Sequence, residues 1–204
     1  MNKIDFLNIV VFGYIKKDLE AIKSYIPRKS GEPGNVNFPI ALCILSYMEY
    51  LGGFLTGFDW NYTENIKAYL INCFKKSSDY DVTILEEIFR NGLAHDYFAR
   101  GGVGRDGIRP ALYRGWNNEV ILDADTLLGD FIISLDTFKE KLTDEIFTER
   151  IALAENKIAD LNTKYLQAIS KLPFIGDIPH ASISGASIYP GPINITRPYD
   201  QNEK

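Results

Sequence analysis

A mainly α-helical bundle is what this sequence predicts, on three observations. Apolar residues recur at spacings of three and four through most of residues 4–26, 38–55, 82–98 and 126–171. A segment dense in proline and glycine at 27–34 and one dense in glycine at 100–107 separate those stretches. A hydrophobic content of 46% in 204 residues supplies an ample core for one domain. The exceptions to helical spacing, at 108–114 and 119–123, predict a small β-hairpin insertion.

The first helix, 4–26, carries Leu7, Val11, Ile15, Leu19, Ile22 and Ile26 and ends at Pro27. From Phe38 to Leu55 the chain is almost wholly apolar, which predicts a central buried helix. Its polar exceptions are Tyr47, Glu49 and Tyr50; Glu49 either pairs with an arginine of a neighbouring helix or sits on the rim. Gly52-Gly53 allows a kink or close helix packing. Thr63 is placed to cap a third helix running to Lys75. A fourth, about 82–98, carries Ile84, Leu85, Ile88 and Leu93.

Residues 100–107 read as a flexible loop, and Trp116-Asn117-Asn118 as the turn of the hairpin, about 108–123. The long helical region, about 126–171, holds two stripes. The first is Leu128, Phe131, Leu135, Phe138 and Leu142. After a phase slip at Thr143-Asp144 the second runs Phe147, Ile151, Ala154, Ile158, Leu161, Tyr165 and Ala168. That second stripe suits a dimer seam and an intramolecular packing face equally. Residues 1–172 thus form the helical domain, and 173–204, with five prolines, an extended or disordered tail.

A net charge of -5 argues against a surface basic all over, while leaving room for a local basic cleft. Cys43 and Cys73 lie among apolar residues and read as free thiols of a reducing compartment. No apolar run reaches the roughly 18 uninterrupted residues of a membrane span, and no small-residue cleavage site follows the N-terminal apolar run. The expectation is a cytoplasmic protein that engages no membrane.

Usable chemistry concentrates in Phe89-Arg90-Asn91-Gly92-Leu93-Ala94-His95-Asp96-Tyr97-Phe98. On a helix Asn91 and His95 are i and i+4 and share one face, with Arg90 about 100° away. Phe89 and Leu93 point into the core and hold the polar groups outward. Histidine exchanges protons near neutral pH, and the arginine fork matches phosphate oxygens. Between 90 and 114 there are five arginines against two aspartates, a phosphate-attracting lip of Arg100, Arg105, Arg109 and Arg114 beside the motif. Gly102-Val103-Gly104-Arg105-Asp106-Gly107 is formally G-x-G-x-x-G, but a predicted helix precedes it, which excludes the dinucleotide fingerprint. No His/Cys cluster has metal-ligand spacing.

Arg90-Asn91 followed by His95 resembles the R-x4-6-H motif of the HEPN superfamily, and Tyr97 extends the match to R-x4-H-x-Y. The resemblance implies a HEPN-like bundle with catalytic Arg90 and His95, assisted by Asn91; Tyr97 and, on their charge, the four lip arginines are expected to contact substrate. It implies a metal-independent endoribonuclease of the toxin or RNA-processing type, with no cofactor. It also implies a homodimer, an RNA substrate and a nucleotidyltransferase-type antitoxin that would modify Tyr97. The alternative keeps the fold without the chemistry, as a catalytically inactive domain that binds nucleotide, RNA or a protein partner. The long C-terminal region departs from small toxins of this kind.

Overall fold

The computed structural model describes residues 2–26, 36–57, 61–95, 101–108 and 110–171. Expectations for Tyr97, Arg100, Arg109 and the tail 173–204 lie outside the described residues. The described chain is mostly helical with a small three-stranded sheet.

Helix α1 covers residues 3–25: a short α-helical start Lys3–Asp5, a π-helical stretch Phe6–Ile15, and α-helix Lys16–Tyr25. Helix α2 is Asn37–Thr56, ended by Gly57, whose φ of 103° suits glycine. Helix α3 is Tyr62–Cys73. Its cap is Asn61, which accepts a hydrogen bond from the Glu64 amide (3.3 Å). Thr63, expected in that role, instead hydrogen-bonds Glu86 on the next helix. Helix α4 joins a π-helical stretch Ile84–Arg90 to α-helix Asn91–His95 and is capped by Asp81, which accepts from the Ile84 amide.

Three strands follow: β1 Gly102–Gly104, β2 Leu112–Arg114 and β3 Val120–Asp123, in the order β1-β3-β2. The predicted hairpin is present, with Leu112 opposite Leu122 and Arg114 opposite Val120. Asn118 takes a φ of 67° in the turn, a conformation asparagine tolerates. The expected loop at 100–107 contains β1, which pairs in parallel with β3 (Val103 opposite Leu122). The glycines hid this strand, since they carry no alternating apolar pattern.

Helix α5, Ala124–Lys141, starts directly off β3, and α6 is Asp144–Ile169. The break between them falls where the phase slips, with Thr143 Oγ1 accepting from the Ile146 amide. Residues 2–151 form one compact unit; residues 152–171 are the described part of a second.

The core of the first unit centres on Phe54 of α2, whose ring lies 4.8 Å from that of Phe6 and stacks on Phe147 at 6.4 Å. Phe138 meets the same ring edge-on. Each such buried ring contributes about 2–3 kcal/mol by removal from water. Tyr69 is wholly buried and shares a hydrogen bond with Ser134 (2.9 Å), so its hydroxyl is satisfied. By length and composition α2 would serve as a membrane span. Its apolar residues Ile40, Ile44, Leu45, Met48, Leu51 and Phe54 are instead buried in the bundle.

Candidate functional site on helix α4

Leu85, Phe89 and Leu93 are buried, and this every-fourth spacing fixes which side of α4 faces the core. On an ordinary α-helix each step of four drifts about 40°. The wider turn of the π-helical stretch, seen in the Asn91 amide donating to the Glu86 carbonyl, takes up that drift. Phe89 and Leu93 sit in the core as their spacing required, and Arg90, Asn91 and His95 are left off it.

Arg90 does not stand free. Its Nε (3.0 Å) and Nη2 (2.9 Å) both donate to Glu49 Oε2, and its Nη1 donates to Asn91 Oδ1 (3.2 Å). The two side chains of the pair are 18% and 17% exposed, so the fork is held at the edge of the bundle. Of the two placements open to Glu49, the structure shows the pair. Asn91 is half-buried and His95 exposed, at the two ends of the closing α-helical turn. The neighbouring phenol of Tyr50 is pushed up to about 12 by burial, and burial also raises Tyr47 and Cys43. These groups, all on α2, stay protonated at neutral pH.

The sheet lies close by: a Cβ on Gly101 would come within 3.3 Å of Ile88 Cγ2 and Phe89 Cζ on α4. The two described lip arginines are used differently. Arg114 is exposed at the end of β2. Arg105 is not on a lip: its side chain is 4% exposed, its Nε donates to Asp125 Oδ1 (3.0 Å) and its Nη1 to the Ile26 carbonyl (3.1 Å). It fastens the end of α1 to the start of α5, a task that burial of a charge requires to be paired.

Comparison with protein-family models, with curated proteins and with solved structures finds no match. The site therefore rests on its own geometry.

Two groups escaped the sequence reading. Asp123 is fully buried, and its carboxylate accepts from the amides of Asp106 (2.6 Å), Gly107 (3.1 Å) and Thr126 (2.8 Å). It caps α5 and pins the segment after β1 in one stroke. Its signal was present: an aspartate directly before the first apolar-periodic residues marks a helix start. Trp116 is 99% exposed at the hairpin tip, and no periodicity points to it. Among the described residues no group of three or more His, Cys, Asp or Glu is disposed to hold a metal.

Proposed function

We propose that this chain is a HEPN-like, metal-independent endoribonuclease of toxin or RNA-processing type, acting through Arg90 and His95 with Asn91 assisting. The observation that carries the reading is the arrangement on α4. A guanidinium oriented by Glu49 and Asn91 precedes, on one helix, an imidazole open to solvent. Cleavage through the ribose 2′-hydroxyl needs a group to take its proton and one to supply a proton to the leaving 5′-oxygen. Histidine does either, and a fixed arginine offsets charge building on the phosphate. One such pair is a sparse site, so the working form would be a homodimer with two motif helices facing a shared cleft. A nucleotidyltransferase-type antitoxin and a cytoplasmic setting belong to the same proposal.

A second reading has its own observation. The Arg90 nitrogens are engaged by Glu49 and Asn91, and Arg105 is spent on Asp125. A site whose cations are held this way also suits a domain that keeps the fold and binds a nucleotide, RNA or protein without cutting.

The two separate in one assay. Purified protein in EDTA should cut single-stranded RNA, leave 2′,3′-cyclic phosphate ends and spare DNA, which lacks the attacking hydroxyl. His95→Ala should abolish cleavage with unchanged Tm, because the side chain is exposed. If wild type and His95→Ala behave alike on a broad RNA panel including whole tRNA, the nuclease reading fails and the binding reading stands.

A further inference from the structure

Trp116 stands at the tip of the β2–β3 hairpin with its whole side chain in water. The tip itself is not loose. The Gly115 carbonyl accepts from the Asn118 amide (3.1 Å), the Gly115 amide donates to the Glu119 carbonyl (2.8 Å), and Asn118 turns left-handed at a φ of 67°. These bonds fix the backbone on both sides of Trp116, so little main-chain freedom is left to lose when its ring takes a ligand. Arg114 before it and Asn117 and Asn118 after it are exposed. Glu119, the acid of the hairpin, lies back across Gly115 with its Oε2 buried. One flat apolar ring among amides and a cation suits a ligand that is itself a flat ring tied to an anion. An apolar partner would need further apolar side chains at the tip. The exposed Ile108 is at the other end of the sheet, next to Gly107, whose amide Asp123 holds at the end of β3.

The tip also belongs to the end of the sheet that abuts the motif helix. A Cβ on Gly101 would lie 2.5 Å from the carbonyl oxygen of Val120, the first residue of β3, and 3.3 Å from Ile88 and Phe89 of α4. Arg90 follows Phe89 directly. We infer that the hairpin tip is a nucleobase-stacking site: the Trp116 ring takes an unpaired base of single-stranded RNA, and Arg114 takes the phosphate beside it. The inference rests on the RNA-directed reading of the motif, and it adds a base contact to the phosphate and proton chemistry of α4. Every base has a flat face to stack on an aromatic ring, so such a site selects unpaired strands rather than a sequence.

The test uses the full chain and a labelled 2′-O-methyl single-stranded RNA, which lacks the free 2′-hydroxyl and so reads binding whether or not the chain cuts. By fluorescence anisotropy Trp116→Ala should raise Kd about 5- to 150-fold, the range for one lost stacked base. Trp116→Phe, which keeps a flat ring, should recover most of the affinity. Tm should not change in either variant, because the side chain is in water. An abasic strand of the same length should bind wild type and Trp116→Ala alike, and Arg114→Ala should lower the salt dependence of binding. Equal Kd for wild type and Trp116→Ala overturns the inference, as does a Trp116 effect that persists on the abasic strand, or a wild type that binds no RNA. Attachment to phosphatidylserine vesicles that is lost in Trp116→Ala, with no RNA binding, overturns it in favour of a membrane contact. Binding through Trp116 without cleavage of ordinary RNA keeps the inference and loses the nuclease reading; cleavage and binding both indifferent to Trp116→Ala do the reverse.

Discussion

Glu49 and Arg90 lie 41 residues apart, and their pairing joins the central helix to the helix that carries the motif. The pair is mostly shielded from water, so loss of one charge leaves the other poorly compensated. Glu49→Gln keeps an acceptor but removes the charge. A charged hydrogen bond contributes about 1.5–3 kcal/mol, and the partial exposure argues for the lower end. At about 1–2 kcal/mol, Tm should fall by roughly 2–8 °C in a protein of this size. The same substitution in an Arg90→Gln background should cost much less, and equal costs in both backgrounds would show that the two side chains do not interact. Residue types told which chemistry was present here. They did not tell which arginine was occupied: Arg105 and Arg114 look alike in sequence, and only the burial of the former and its pairing with Asp125 distinguish them.

At the scale of elements, α2 and α3 approach so closely that a Cβ on Gly52 would lie 1.9 Å from the Asn65 carbonyl oxygen. Backbone cannot swing aside as a side chain does. Gly52→Ala should therefore cost about 3 kcal/mol, the upper end for overpacking, read as a fall in the urea midpoint with m unchanged. Gly129→Ala, inside α5 with nothing within 4 Å of the added Cβ, is the comparison that shows whether contact rather than helix propensity decides the cost. Of the two roles open to the glycine pair, close packing is the one realised. Helix positions were legible because long periodic runs have few competing explanations. The end of α1 at Tyr25 and the break at Thr143 were legible for the same reason. The π-helical stretches were not, because a buried residue at every fourth position is read as an ordinary helix with a drifting stripe. β1 was not legible either, since its pairing is made with residues that come later in the chain.

For the molecule as a whole, burial sets the alkaline limit. The Cys73 thiol is pushed from 9.0 up to about 12 by burial, and the Tyr50 phenol from 10.0 up to about 12 by the same cause. Tyr69 and Tyr80 are raised too, again chiefly by burial. Once unfolded, these groups lose their protons near their ordinary values; folded, they keep them to higher pH. Between the two values the native state holds more protons than the unfolded state, so stability must fall as pH rises. The denaturant midpoint should be level up to about pH 9 and decline from there toward pH 12. Cys73→Ala should make that decline shallower, and a midpoint that rises with pH over this range would refute the account.

The sheet order has a consequence for how the chain is made. Among the described strands β3 is the last to leave the ribosome, yet it lies in the middle and both neighbours depend on it. β2 meets it across a tight turn, whereas β1 waits through the intervening segment before any strand partner exists. Asp123, at the end of β3, supplies at once the cap that starts α5 and the acceptor for the amides after β1. Synthesis of one short strand is thus the step at which β1, β2 and the start of α5 acquire a common partner.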